Sequence, residues 1–255
     1  MNNYVVCIIS YKRAETQLTY NTLIKCNYKN PIYIFVSDND PELETYKLLY
    51  DNVIVYNKAD IYKQSNIDLY DNFKMLDNCT IARNAVLNWT RNNNYENVII
   101  LDDDIKSFRY RFEFNNKLIS KTVDNIEAVF NYYIDFLNCS NKIKCVSFAY
   151  PGIFIGGLNG KFKNNYQRLV SQVFIMKSDI NFKATRNEDE ILSNTIDYIT
   201  LTPYIITQDS EDRASNNGGL YDDYRNNNLY IYIAFIVYYI IQLHQKLILR
   251  LILVQ

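Results

Sequence analysis

Along residues 4–108, short apolar runs alternate with longer mixed segments. Residues 5–9, 32–36, 53–56 and 98–101 have the length and β-branched content of strands, and their nearly unbroken apolar character marks strands covered on both faces. Between them, residues 15–25, 42–50 and 79–91 have helical patterning, and Ile81, Ala85 and Trp89 recur at a spacing of four, leaving Arg83 off that packed face. Asp40, Pro41 and Glu44 suit a helix start, with Asp40 as N-cap and Pro41 in the first turn. The alternation predicts an α/β fold with a mostly parallel central sheet flanked by helices. Sheets of this kind bind ligands beyond the carboxyl ends of their strands.

After Phe108 the pattern changes. A helix is expected over 124–136 and strands over 143–148 and 170–176, with Gly152, Gly156 and Gly157 punctuating the connection between the strands. No linker separates the halves, so residues 1–228 read as one domain, with a first half of about 1–108 and a second, smaller region of about 109–228. Residues 229–255 form a hydrophobic C-terminal segment. Its longest uninterrupted apolar run, 229–241, is 13 residues, short of the roughly 20 that span a bilayer. It suits a packed helix, a peripheral membrane contact through its tyrosines, or a segment that needs a partner. The apolar run at 4–9 is too short for a secretory signal and reads as the first strand.

Composition narrows the chemistry. At 255 residues with 48% hydrophobic and 22% charged residues, the chain builds a globular core and is not disordered. A formal charge of -1 argues against a protein coated in basic surface, although local basic patches remain compatible with it. The five cysteines form no CxxC pair, which favours reduced thiols and a cytoplasmic setting. The single histidine, His244, lies in the hydrophobic tail, so a histidine triad or histidine-rich zinc site is excluded.

The strand at 98–101 runs straight into Asp102, Asp103 and Asp104. Continued strand alternation points Asp102 and Asp104 to one side and Asp103 to the other. A divalent cation such as Mg²⁺ or Mn²⁺ would relieve the repulsion and leave coordination positions for substrate phosphate, whereas a solvated acidic turn is the plainer alternative. The first strand runs into Ser10-Tyr11-Lys12-Arg13 and the second into Ser37-Asp38-Asn39-Asp40, so parallel strands would gather all three clusters at one sheet edge. There Arg83, with Lys12 and Arg13, suits a diphosphate. Tyr11 suits stacking on a base or sugar, and Asp38 suits hydrogen bonding to a base or ribose or capping its own turn. Farther along, Asn187-Glu188-Asp189-Glu190 either opens a helix or supplies a general base, with Asp189 the first candidate and Glu188 the second. Asp209, Glu211 and Asp212 read mainly as a solvated loop. Lys106-Ser107-Phe108-Arg109-Tyr110-Arg111-Phe112 and the group Lys161, Phe162, Lys163, Tyr166 and Arg168 alternate basic and aromatic residues, which fits either nucleic-acid contact or ordinary strand patterning. Asp104 and Lys106 also have the acid-x-Lys spacing of metal-dependent nucleases.

Taken together, Ile9-Ser10-Tyr11-Lys12-Arg13, Phe35-Val36-Ser37-Asp38, Ile81-Ala82-Arg83-Asn84-Ala85 and Ile100-Leu101-Asp102-Asp103-Asp104 resemble the nucleotide-sugar glycosyltransferases of the GT-A class, and within it the phage and viral enzymes associated with TET/JBP oxygenases. Those enzymes are similar to the base J glucosyltransferase. The resemblance covers residues 4 to 220. It implies a GT-A-like fold, a UDP-sugar donor, most simply UDP-glucose, and Mn²⁺ or Mg²⁺ held by Asp102 and Asp104. It further implies donor contacts from Asp38, Arg83 and Asp102, beside which Tyr11, Lys12, Arg13 and Asn84 stand as candidate donor contacts, inversion with Asp189 as the acid–base residue and Glu188 left open in the same motif, and a hydroxymethylpyrimidine in DNA as acceptor. A protein, glycan or small-molecule acceptor is the alternative within the same fold.

Overall fold

The computed structural model describes residues 3–65, 67, 76–149, 170–184, 192, 199–201 and 206–210. Its central sheet begins with β1 (Tyr4–Ile9), β2 (Ile32–Ser37), β3 (Val53–Tyr56) and β4 (Asn97–Asp102), all mutually parallel in the spatial order β3-β2-β1-β4. The helices between them are α1 (Leu18–Lys25), α2 (Leu43–Leu49), α3 (Lys58–Gln64) and α4 (Cys79–Asn92). From β4 the chain turns directly into a hairpin of β5 (Ile105–Phe114) and β6 (Lys117–Thr122), followed by α5 (Ile126–Asn138), β7 (Ile143–Val146), β8 (Val173–Lys177), β9 (Ile199–Leu201) and β10 (Ile206–Ser210). β8 extends the central sheet antiparallel to β4, β7 pairs antiparallel with β8 and so runs with β4, and β9 pairs parallel with β7. β10, β5 and β6 form a separate three-stranded sheet. The fold is α/β, with a mostly parallel central sheet flanked by helices.

Strand alternation explains the two cores. Val6 and Ile8 of β1, Ile99 and Leu101 of β4 and Val173 and Ile175 of β8 face one side, where Phe108, Phe130, Tyr133 and Phe148 cover them. Val5, Cys7, Ile9, Val98, Ile100, Phe174 and Met176 face the other, beneath Ala82, Ala85 and Val86 of α4. With both faces covered, these strands have no polar side to show, so their sequences are continuous apolar runs.

Some expectations need correction. α2 begins at Leu43, after Glu42, and not at Pro41; the Asp40 side chain instead holds the preceding turn by accepting from the Glu42 and Lys12 amides. The division drawn near residue 108 falls inside β5. Asp209 lies in β10, opposite Ser107, and not in a loop. The β5–β6 turn is Asn115-Asn116, both with positive φ (50 and 57), the geometry of a two-residue type I′ hairpin. The hydrophobic tail at 229–255 lies outside the described residues, as do Glu211 and Asp212. Among the described residues, no helix is long and apolar enough to cross a membrane.

Candidate active site

The parallel register of β1, β2 and β4 brings their carboxyl ends to one edge, with Ile9 opposite both Phe35 and Asp102. The Ser10, Asp38 and Asp102 clusters therefore meet there, as the strand pattern predicts. Thr19, in the first turn of α1, holds the acidic turn in place: its amide donates to the Asp103 carbonyl, its hydroxyl donates to the Asp102 carbonyl and accepts from the Ile105 amide at 2.9 Å.

Asp102 shares the parity of Val98 and Ile100, so it emerges on the α4 side of the sheet. Arg83 meets it there, with Nη2 at 3.1 Å from Oδ1. The guanidinium lies against two aromatic rings that themselves meet edge to face, 4.4 Å from the Phe174 centroid and 5.5 Å from that of Phe182. Arg83 is thus not off the packed face of α4 but 3% exposed. Every residue from Thr80 to Leu87 is buried, because the sheet covers one side of the helix and the segment around Phe182 covers another. Asn84 is fully buried as well: its Nδ2 donates to the Phe182 carbonyl and its Oδ1 accepts from the Phe182 amide, both at 2.9 Å. Its side chain clamps the backbone at Phe182 and so ties that segment to α4.

Asp103 goes the other way, and is buried. It receives a hydrogen bond of 2.6 Å from Ser10 Oγ and forms an ion pair with Arg13 Nη1. Ser10 Oγ in turn accepts from Gln17 Nε2 at 2.5 Å and from the Tyr46 hydroxyl at 2.6 Å, and the Tyr46 oxygen accepts from the Arg13 amide at 3.0 Å. The result is a closed ring of polar contacts through the loop after β1. Burial pushes the Asp103 carboxyl up, against the opposing pull of Arg13 and Ser10. Burial likewise works against the Arg13 cation, yet Asp103 outweighs it and holds the guanidinium charged. Arg13, expected beside the diphosphate, pairs with Asp103 at this edge. In the same loop Lys12 has φ 55, a left-handed conformation that costs a side chain bearing Cβ about 1–2 kcal/mol; the Asp40 carboxylate fixes it by accepting from the Lys12 amide at 2.9 Å.

Tyr11, partly exposed, carries two ammonium groups over its ring, Lys12 Nζ and Lys58 Nζ, each 4.8 Å from the centroid. Lys58 is buried and paired with Asp77 at 2.5 Å. Helical patterning does not flag it, but it follows β3 by two residues, and the carboxyl end of a parallel strand is where such a residue gains meaning. Asp38 is exposed at the same edge and accepts from Asn57 Nδ2 at 2.6 Å. Asp102 and Asp104 are both half-buried, and both are hard oxygen donors of the kind Mg²⁺ and Mn²⁺ prefer. Among the described residues no group of three His, Cys, Asp or Glu forms a metal cage, so an ion on these two carboxylates would draw the rest of its ligands from water and substrate oxygens. Phe108, one of the aromatic residues read as a base contact, is fully buried against Phe148. Glu188, Asp189 and the group from Lys161 to Arg168 lie outside the described residues.

The family model for TET-associated glycosyltransferases matches residues 4–213. The chain belongs to the TET-associated glycosyltransferase family. It is accordingly a nucleotide-sugar-dependent glycosyltransferase of the GT-A type. No curated protein matches the sequence. Solved structures similar to this chain include glucosyl-3-phosphoglycerate synthase from Mycobacterium tuberculosis in complex with Mn²⁺, UDP and phosphoglyceric acid, at TM-score 0.46 and 9% identity over 83% of this chain and 72% of that one. The same synthase with Mn²⁺, UDP-glucose and phosphoglyceric acid matches at TM-score 0.44 and 10% identity, over 83% of this chain and 73% of that one.

Proposed function

We propose that this TET-associated glycosyltransferase transfers glucose from UDP-glucose to the hydroxymethyl group of a modified pyrimidine in DNA, with inversion at the anomeric carbon. The observation that carries the reading is the convergence, in a member of this family, of Tyr11, Asp38, Arg83, Asp102 and Asp104 at the carboxyl ends of β1, β2 and β4. Tyr11 offers a ring face to the uracil or ribose, and Asp38 offers acceptor oxygens to nucleoside hydroxyl or imide groups. Asp102 and Asp104 would hold Mn²⁺ or Mg²⁺, which when bound supplies charge neutralisation to the leaving diphosphate. Arg83 keeps the Asp102 carboxylate oriented and adds positive charge behind it. Lys12 and Lys58 bring two further cations to the nucleotide side.

In the reaction, Asp189 takes the proton from the hydroxymethyl oxygen, and Glu188 is the alternative base in the same motif. That oxygen forms a bond to the anomeric carbon as the bond from this carbon to the diphosphate oxygen breaks. UDP departs with the electron pair, and attack from the opposite face inverts the configuration. The test is to incubate the protein with UDP-glucose, Mn²⁺ and DNA containing 5-hydroxymethylcytosine or 5-hydroxymethyluracil, then digest the DNA and weigh its nucleosides. A hexose increment on the hydroxymethylated nucleoside is expected. Absence of transfer to DNA, with transfer to a glycan, protein or small molecule in the same assay, overturns the acceptor assignment.

A further inference from the structure

The β5–β6 hairpin is the main basic feature among the described residues, and the donor site does not use it. Residues 105–122 carry five basic side chains and one acidic one, a net +4 within a chain of formal charge -1. β10 pairs with β5 only as far as Tyr110, so the outer part of the hairpin projects as two strands. Residues directly opposite each other share a face. The pairs Tyr110–Lys121, Phe112–Ile119 and Phe114–Lys117 therefore build one face that alternates rings with ammonium groups. Tyr110 packs against the core, but Phe112 is 44% and Phe114 61% exposed, and both lysines are exposed. Aromatic rings left in water at the tip of a basic hairpin do not contribute to the core, as Phe108 does on the same strand.

We infer that this face is the docking arm for the nucleic-acid acceptor, with unpaired bases stacked on Phe112 and Phe114 and the sugar-phosphate backbone held by Lys117 and Lys121. The inference rests on the DNA-acceptor reading given above. Phe112 and Phe114 are two residues apart, or roughly 7 Å along the strand, the separation that admits one base of about 3.4 Å thickness between two rings. β5 starts at Ile105, next to Asp104, and Phe114 lies nine residues on, about 30 Å of extended strand. A single sugar or metabolite cannot touch both ends. A polymer of nucleotides can, and its negative charge complements the hairpin while the remainder of the protein is net acidic.

The experiment measures binding of the full chain to a fluorescent single-stranded hydroxymethylated oligonucleotide over a range of salt, beside binding of UDP with Mn²⁺ as a report on the fold. Phe112→Ala with Phe114→Ala is expected to weaken oligonucleotide binding roughly 10-fold or more, with UDP binding retained. Lys117→Glu with Lys121→Glu is expected to flatten the dependence of log affinity on log salt by roughly one to two units; this second pair, at exposed positions, decides the matter if the first impairs folding. If the wild-type protein modifies DNA and both paired variants bind the oligonucleotide as it does, the hairpin inference is overturned and the acceptor reading stands. If the wild type neither binds nor modifies DNA, both fall. Loss of binding to phosphatidylserine vesicles in these variants, with oligonucleotide binding intact, assigns the face to a membrane and overturns the inference.

Discussion

At the residue scale, the three consecutive aspartates have three different surroundings. Asp102 meets Arg83, Asp104 stands half-buried in the turn, and Asp103 is sealed beneath the loop with Arg13 and Ser10. Strand alternation announces that Asp103 points away from its neighbours, but its partner at position 13 is 90 residues distant and no local pattern reveals it. Asp103 is therefore a positioning residue for the Tyr11–Lys12–Arg13 loop. Asp103→Asn removes the nearest counter-charge of the largely buried Arg13 guanidinium, and a loss of about 3 kcal/mol is expected, measured by urea denaturation. In the surviving folded enzyme KM for the nucleotide sugar should rise more than kcat falls, because the loop that shapes the nucleotide side is loosened. An equal fall in kcat with unchanged KM would contradict that role. Asn84→Ala should cost roughly 1–3 kcal/mol, since it leaves the buried Phe182 amide and carbonyl without partners, again read by denaturation.

At the element scale, legibility followed burial. β1, β2 and β4 announce themselves because they are covered on both faces, whereas β3 is a short edge strand with Val55 exposed and shows only by its apolar run; α4 is legible because it is long and capped by Asn78, whose side chain accepts from the Ile81 amide. α3 carries only seven residues and one stripe too short to show a helical period. The hairpin is hard to see for a different reason: its turn is Asn115-Asn116 in place of the more recognisable Asn-Gly, and its apolar positions continue beyond the core into solvent. The convergence of site residues at the sheet edge was legible, but the burial of Arg83 and Asn84 was not, because it depends on the segment around Phe182, far along the chain. The turn gives a direct check. Asn116→Val places a β-branched residue at φ 57 and should destabilise the protein by about 1–2 kcal/mol, whereas Asn116→Gly should match or exceed wild-type stability; thermal melts of the two variants distinguish them.

At the scale of the whole molecule, the tyrosine-rich composition becomes a pH limit. Burial pushes the Tyr28, Tyr46 and Tyr133 phenols well above their ordinary value, and burial with Glu127 nearby pushes Tyr4 up to about 12. Unfolded tyrosine ionises near 10, so the folded state holds these protons more tightly than the unfolded one. Their contribution to stability is complete below about pH 10 and is lost as pH rises above it, for Tyr4 through about 12 and for the other three at still higher pH. In an alkaline titration the absorbance of these tyrosinates should appear together with the loss of circular dichroism; ionisation of all 24 tyrosines near their ordinary value with the fold intact would contradict this burial.

At the same scale, the proposed activity has one sheet edge deliver a sugar from a nucleotide donor to DNA. Its most direct test is the incorporation of radiolabelled glucose from UDP-glucose into hydroxymethylated DNA by wild-type protein and by the Asp102→Ala/Asp104→Ala variant, each with Mn²⁺. Incorporation by the wild type is expected, with a fall of about 100-fold or more in the variant and the fold retained by circular dichroism. Equal incorporation by the two proteins, or none by a folded wild type across nucleotide sugars and hydroxymethylated bases, would contradict it.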